Sequence, residues 1–257
     1  ERAAAIVRTI VVSLIAVLFV VPLVWMVLSS LKTAPEVFAR PFHWLPARVQ
    51  WQNYATVWMN EEASMLRAFA NTLYIALFSI IGQMFISSLA AYSFAKINFK
   101  GKQVVFMLFL SSMMVPSQLT IIPRFMLFKT IGLYNNLWAI ILPAFFGATS
   151  IFMLRQFYMG LPNDLIEAAK IDGAGHLRIF LRIMLPLTKA ALMSLIILAF
   201  ISSWNEYMAP LIFLVKKELY TVSQNIQWYM LDEFKEHNLT MAAATSAIVP
   251  VVILFIV

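Results

Sequence analysis

Residues 6–31 read IVRTIVVSLIAVLFVVPLVWMVLSSL, an apolar run in which Arg8 is the only charged residue. A helix needs about 20 mostly apolar residues to cross about 30 Å of hydrocarbon, so this run is long enough to span a membrane. It is about twice as long as the apolar core of a signal peptide and has no convincing small-residue cleavage site. We therefore expect it to be retained as a membrane anchor.

Five further apolar runs follow along the chain. They are Ala68 to Ala95, Gln103 to Ile122, Asn136 to Tyr158, Leu187 to Val215 and Leu239 to Val257. Only helices or closed barrels satisfy every backbone group in lipid, and no run shows the alternation of a membrane β-strand. The sequence therefore predicts an all-α polytopic membrane protein, with six transmembrane helices in a single domain over residues 1–257. Because the chain starts abruptly at Glu1 and stops inside an apolar run, we expect both termini to be trimmed.

The composition agrees with this fold class. Hydrophobic residues make up 62% of the chain and charged residues 12%, whereas a soluble domain has about 25% charged residues. The net charge of +7 does not indicate nucleic-acid binding, because the basic residues are scattered singly between apolar runs. The chain has no cysteine, which excludes disulfides and thiolate metal sites.

The positive charges indicate the orientation of the chain. The N-terminus and the second and fourth connections, taken as one side, hold ten of the nineteen Lys and Arg residues in the shorter total loop length. These ten are Arg2, Arg8, Lys96, Lys100, Lys102, Arg155, Lys170, Arg178, Arg182 and Lys189. Cytoplasmic loops carry an excess of Lys and Arg, so we expect a multi-pass protein with both termini in the cytoplasm.

Two external connections are rich in aromatic residues. The first, residues 32–67, contains Trp44, Trp51 and Trp58. Tryptophan favours the membrane interface, and contact with an external partner is the alternative interpretation. The last, Lys216 to Asn238, is expected to form a short exposed helix; its charged and aromatic residues are Lys216, Lys217, Glu218, Asp232, Glu233, Lys235, Glu236, Trp228 and Tyr229.

The fourth connection, about residues 159–188, carries the most informative motif. Pro162-Asn163-Asp164 is a helix-start signal, and Gly173 can take the positive φ that ends a helix. Small Ala168 and Ala169 lie beside Glu167, which gives a face that another protein can approach closely and bind through a charge. The sequence predicts a docking helix; an ordinary amphipathic loop helix is the alternative.

This motif resembles the cytoplasmic signature of the integral-membrane permeases of ATP-binding-cassette importers. That signature reads Glu-Ala-Ala, three residues, Gly, nine residues, Ile, one residue and Leu-Pro, and the chain matches it at Glu167-Ala168-Ala169, Gly173, Ile183 and Leu185-Pro186. Further likeness to the carbohydrate-uptake branch, specifically the maltose-type second permease, lies in Asp172-Gly173-Ala174, Asn53-Tyr54 and Trp204-Asn205-Glu206. Lys189 replaces a proline found in many relatives, and the family's cytoplasmic tail is missing after Val257.

The resemblance implies a function and a set of partners. The chain would form half of the translocation path for a sugar or oligosaccharide in a bacterial-type inner membrane. It would pair with a second homologous permease, a dimer of ATP-binding subunits and an extracytoplasmic solute-binding protein. The coupling helix, between membrane helices four and five, would insert into a cleft of the ATPase through Glu167, Ala168, Ala169, Asp172 and Gly173.

The remaining polar residues leave the substrate path open. Asn71, Gln118, Asn205 and Glu206 can either touch substrate or hydrogen-bond between helices, and Glu206 can also be solvated at the interface. The sequence has no Gly-x-x-x-x-Gly-Lys-Ser/Thr loop, no metal-ligand spacing among its histidines and no catalytic constellation. We therefore expect no cofactor in this chain and no enzyme activity of its own, with ATP and Mg²⁺ bound by the partner ATPase. The alternative class is a self-sufficient secondary transporter or channel.

Overall fold

The computed structural model describes residues 2–231 and 236–256, and its described part is helical without strands. The helices are α1 Arg2–Ser30, α2 Ala34–Val37, α3 Gln52–Met59, α4 Met65–Lys96, α5 Lys102–Ser111, α6 Ser117–Thr130, α7 Trp138–Ala144, α8 Ala148–Gly160, α9 Asp164–Ile171, α10 His176–Ile179, α11 Leu185–Leu187, α12 Lys189–Trp204, α13 Met208–Phe213, α14 Val222–Met230 and α15 His237–Ile256. A π-helical turn, Phe180–Met184, joins α10 to α11. The all-α prediction is confirmed.

The membrane spans differ in part from the six predicted runs. Four stretches are long and apolar enough to cross a bilayer: Ala4–Ser30, Met65–Lys96, Trp138–Gly160 and His237–Ile256. The third predicted run is bent instead, by 96° between residues 102–114 and 117–130, and a 76° bend between residues 176–187 and 189–204 lies at the start of the fifth predicted run. A count of six is therefore reached only if each bent pair is one span.

The bends have local causes. Pro116 has no N–H to give to a helix, and Val115 before it is extended, with φ −85° and ψ 112°. At the second bend, the Thr188 hydroxyl donates to the carbonyls of Met184 and Leu185 at 3.1 Å each. The fifth predicted run also ends early, at Trp204 rather than Val215, because Asn205 leaves the helix with its Nδ2 bonded to Ile201 O at 2.9 Å.

The chain divides into two compact units. In the first, residues up to 69 and from 220 onward, α15 packs against α1, α3 and α14. The buried amide of Asn53 ties this unit together, because its Nδ2 donates to Ser30 O and Lys32 O at 2.8 Å each. Its Oδ1 accepts from Asn238 Nδ2 at 3.0 Å.

The last external connection contains the predicted short helix, α14, but one face of it is buried. Asn225 donates from Nδ2 to Ala63 O at 3.1 Å, and the Tyr229 hydroxyl donates to the same carbonyl at 3.2 Å. Burial raises the pKa of Tyr229 to about 12, so the hydroxyl is a neutral donor at physiological pH. Asp232, Glu233 and Lys235 lie outside the described residues.

The second unit, residues 70–219, has two apolar cores. One core joins α4, α8, α9 and α12 and includes Tyr92, Tyr158, Ile166 and Phe180. The other joins α4, α6, α7 and α13 around Phe213. Helix α4 contributes to both cores, which follows from its length and from the absence of proline between residues 65 and 96.

Candidate functional site

Helix α9 forms where the sequence predicts a docking helix. Its first turn is closed by Asn163, whose carbonyl accepts from the amides of Ile166 at 2.8 Å and Glu167 at 3.0 Å. Asp164 and Glu167 lie in this first turn, where a negative charge stabilises the helix through its dipole, and Lys170 lies in the last turn. The local sequence and the helix direction therefore agree.

The C-terminus of α9 is a Schellman motif. Ala174 N donates to Ala169 O at 2.9 Å and Gly173 N donates to Lys170 O at 3.0 Å, which is the paired bonding pattern of that motif. Gly173 has φ +77°, a conformation that costs other residues about 1–2 kcal/mol. No atom lies within 4 Å of a Cβ added at Gly173, so the space beside it is open.

The two alanines of the motif face opposite ways. Ala169, with Ile166, is buried in the core of the second unit. Glu167, Ala168, Asp172 and Gly173 are exposed. The exposed surface around α9 therefore presents two carboxylates, a methyl group and a glycine with open space beside it, while Ala169 packs into the core on the opposite face.

Two apolar side chains that the sequence analysis did not assign to the site lie on the same exposed surface. Ile171 is 86% exposed and Leu177 is 65% exposed, on either side of Gly173. Ile171 is the last residue of α9 and Leu177 lies in α10, so these exposed apolar side chains flank the turn that contains Gly173. Their signal in the sequence is the apolar pair flanking the Asp-Gly turn.

A cavity of about 760 Å³ lies in the second unit. Its polar lining residues are Ser79, Gln83, Ser117, Gln118, Arg124, Thr149, Ser150, Ser202, Ser203, Asn205, Glu206 and Tyr207. The cavity is lined by residues of α4, α6, α7, α8, α12 and α13 and of the connection 205–207. Hydroxyl and amide groups of this density in a membrane protein suit a polar solute.

Three of the four predicted path residues meet at this cavity. Gln118, Asn205 and Glu206 all line it, and Glu206 Oε1 also accepts from Ala209 N at 3.0 Å. Asn71 does not line it; its Nδ2 donates to Glu218 O at 2.8 Å.

Arg124 is a cavity residue that the sequence analysis did not single out. Its guanidinium lies 5.1 Å from the centre of the Phe213 ring, and its buried Nε has no hydrogen-bond partner in the described part of the chain. An ionisable side chain within membrane-embedded helices is costly and usually functional. Arg124 therefore lines the cavity with a charged side chain whose Nε has no partner among the described residues.

The cavity wall includes a break in the membrane stretch Trp138–Gly160. Helices α7 and α8 are interrupted at residues 145–147, and α4 packs tightly against this break. A Cβ at Gly82 would lie 2.2 Å from the Phe145 ring, and Gln83 Nε2 donates to Ser150 Oγ at 3.0 Å. Irregular backbone at membrane depth is tolerated where it lines a cavity.

Among the described residues, no group of three His, Asp or Glu side chains is placed to hold a metal ion. His176 instead approaches Tyr92, with Nδ1 3.1 Å from the hydroxyl, and His237 stacks edge-on against Phe38 at 4.9 Å between ring centres.

Comparison with known proteins identifies relatives over nearly the whole chain. Residues 83–257 match the family described as binding-protein-dependent transport system inner membrane component. The chain is 32% identical over 245 residues to the arabinooligosaccharides transport system permease protein AraQ of Bacillus subtilis (strain 168), covering 95% of this chain and 87% of that protein. It is 29% identical to the diacetylchitobiose uptake system permease protein NgcG of Streptomyces coelicolor, covering 94% and 80%.

A solved structure shares the fold. It is a bacterial ABC transporter involved in the import of the acidic polysaccharide alginate, with a TM-score of 0.87, 22% identity, and coverage of 99% of this chain and 95% of that chain. The predicted likeness to carbohydrate-uptake permeases is confirmed, and the importer is favoured over a self-sufficient secondary transporter or channel. The chain therefore belongs to the inner membrane components of binding-protein-dependent transport systems, the permease subunits of ATP-binding-cassette importers.

Proposed function

We propose that this chain imports a neutral oligosaccharide, as one of two related permeases that together enclose the translocation path. The observation that carries the proposal is the cavity of about 760 Å³, whose polar lining supplies both donors and acceptors to a hydroxylated ligand. The relatives AraQ and NgcG are named for arabinooligosaccharides and diacetylchitobiose, which carry no ionised group.

The charge of the cavity supports a neutral substrate over a glycerol-phosphate compound. Of the described residues that line the cavity, only Arg124 and Glu206 are charged at neutral pH, and their charges cancel. A phosphate would gain from Arg124 but would be repelled by Glu206. A sugar hydroxyl can accept from the guanidinium and another can donate to the carboxylate.

The proposed energy source is a separate ATPase. In this proposal a dimer of ATP-binding subunits binds ATP and Mg²⁺, and this chain has no cofactor or catalytic activity of its own. The exposed surface of α9 supports this division, because Glu167, Ala168, Asp172 and Gly173 offer a charge and an open backbone to a partner cleft. Ala169 supports the same docking by holding α9 to the core.

The proposed location is a bacterial-type inner membrane, with lipid around a single permease domain over residues 1–257. The termini would lie in the cytoplasm together with α9. Side chains of α1 such as Leu18 and Phe19 are 71% and 73% exposed, which supports contact with lipid or with the second permease.

The proposed external partner is a solute-binding protein, and Trp44 and Trp51 are its expected contacts. They are 49% and 69% exposed, and Trp44 borders a recess of about 540 Å³ with Lys32 and His43. Trp58 is different, because its Nε1 donates to Ser246 Oγ at 3.1 Å inside the unit. We expect a photocrosslinker at position 44 or 51 to capture the binding protein and one at position 58 to capture little; no capture at 44 and 51 would contradict the contact.

Replacing Arg124 by Gln is expected to lower uptake of a neutral oligosaccharide about tenfold or more, because a hydrogen bond to a charged group contributes about 1.5–3 kcal/mol. The assay is ATP-driven uptake of labelled arabinooligosaccharides and diacetylchitobiose by the whole importer in proteoliposomes, with an oligouronate as the anionic comparison.

The matched control is Lys129→Gln, since Lys129 is exposed on the same helix and does not line the cavity. It is expected to leave uptake unchanged. Preference for the oligouronate, or full uptake by the Arg124 variant, would contradict the proposed substrate class.

A further inference from the structure

Helix α4 is bonded to both ends of the segment that contains α9. Lys96, the last residue of α4, donates from Nζ to Leu161 O at 2.6 Å and to Asn163 Oδ1 at 2.7 Å, just before α9 begins. One turn earlier, the Tyr92 hydroxyl lies 3.1 Å from His176 Nδ1, where the chain resumes after α9. Residues four apart share one face of a helix, so a single face of α4 contacts both flanks.

Neighbouring contacts make this junction stiff. Tyr92 also packs against Phe180 at 5.4 Å between ring centres, and Arg155 Nε donates to Phe94 O at 3.3 Å. The Arg155 guanidinium lies 4.1 Å from the centre of the Phe106 ring. A displacement of α9 that preserves these contacts must therefore move the end of α4 with it.

The middle of α4 lies at the cavity. Gln83 is thirteen residues before Lys96, which places it about 20 Å away along an uninterrupted helix. There the Gln83 side chain donates a hydrogen bond to Ser150. Gly82 packs closely against the Phe145 ring at the break between α7 and α8. Movement of α4 consequently displaces the cavity wall.

From this placement we propose that α4 transmits the ATPase-driven movement of α9 to the cavity, with Lys96 and Tyr92 as the positioning residues that connect the two helices. The inference rests on the proposed docking of α9, and adds the element that carries the displacement and the side chains that connect it. It differs from spatial intermediacy alone, because α4 has bonded contacts both with the segment around α9, through Lys96 and Tyr92, and with the cavity wall, through Gln83.

The test measures the accessibility of a cavity residue rather than transport, so it needs no identified substrate. The chain has no cysteine, and Ser202→Cys places a single thiol on an exposed cavity residue. In the assembled importer with its binding protein, the rate of labelling by a soluble maleimide is measured with and without ATP. We expect ATP to change that rate about fivefold or more, as for typical allosteric coupling.

In the Ser202→Cys background, Lys96→Met is expected to reduce the ATP-induced change in labelling rate to less than about twofold. Lys96→Arg is expected to keep the full change, because arginine keeps the hydrogen-bond donors. Lys100→Met is the matched control, since Lys100 is exposed four residues further along the chain. Tyr92→Phe removes only a hydroxyl and is expected to weaken the response with the importer fully assembled, which separates coupling from folding.

The outcomes distinguish this inference from the proposed docking. A full ATP response in both Lys96→Met and Tyr92→Phe, with the response lost in Glu167→Lys, would overturn the role of α4 and leave the docking intact. A full response in Glu167→Lys as well would overturn both. Loss of the ATP response in Lys96→Met, together with a full response in Lys96→Arg, supports the role of α4.

Discussion

Glu167→Lys is expected to lower substrate import about 100-fold or more while ATP hydrolysis continues. In the proposed docking Glu167 pairs with a basic group in the cleft of the ATPase, and a lysine would place a like charge there, which costs several kcal/mol. Glu167 is exposed in the first turn of α9, so the change affects what the surface offers a partner. Its effect on α9 itself is smaller, about 1 kcal/mol from the helix dipole. Uptake and hydrolysis are measured together on the reconstituted importer.

Two controls separate a lost ion pair from a general charge effect. Glu167→Gln removes the charge without reversing it. Its import rate is expected to lie between those of the unmutated chain and of Glu167→Lys. Lys170→Glu reverses a charge of opposite sign on the same exposed helix and is expected to reduce import only slightly. Import at the unmutated level in Glu167→Lys would refute the coupling role.

Gly173→Val is expected to lower import about tenfold or more without preventing membrane insertion. The φ of +77° at Gly173 is strained for a β-branched residue, and the side chain would fill the open space through which a partner approaches. Gly173→Asn tests the two causes separately, because asparagine tolerates positive φ but still adds bulk.

If strain dominates, the Asn variant imports close to the unmutated rate. If close approach of the partner dominates, it is impaired like the Val variant. Uptake by the Val variant equal to that of the unmutated chain would show that neither φ nor space at Gly173 matters for coupling.

The predictable part of the fold is the part that depends on residue type alone. Long apolar runs predict α1, α4 and α15. The Pro162-Asn163-Asp164 start signal and Gly173 correctly predict where α9 begins and ends. The bend within the third run and the early end of the fifth could not be predicted in the same way, because hydropathy measures the apolar content of a stretch and not its direction. Pro116 redirects the chain inside the third run, and α12 ends at Trp204 although apolar residues continue to Val215.

Prediction of the cavity failed at Arg124 for a related reason. The third predicted run ends at Ile122, two residues before Arg124, so the sequence places this arginine in a connection, whereas α6 extends to Thr130. Asn71 is a candidate because it is polar inside an apolar run, but its hydrogen bond to Glu218 O depends on the tertiary fold. Polarity identifies candidates, and the tertiary fold decides which of them share a cavity.

The pairing of α1 with α15 has a consequence for biogenesis. The second unit is one continuous stretch, residues 70–219, so it can pack as soon as that stretch has left the ribosome. The other unit pairs α1, which ends at Ser30, with α15, which begins at His237, so these contacts have a large sequence separation. Until α15 emerges, α1 must wait in the bilayer without its partner helix, which its high apolarity allows.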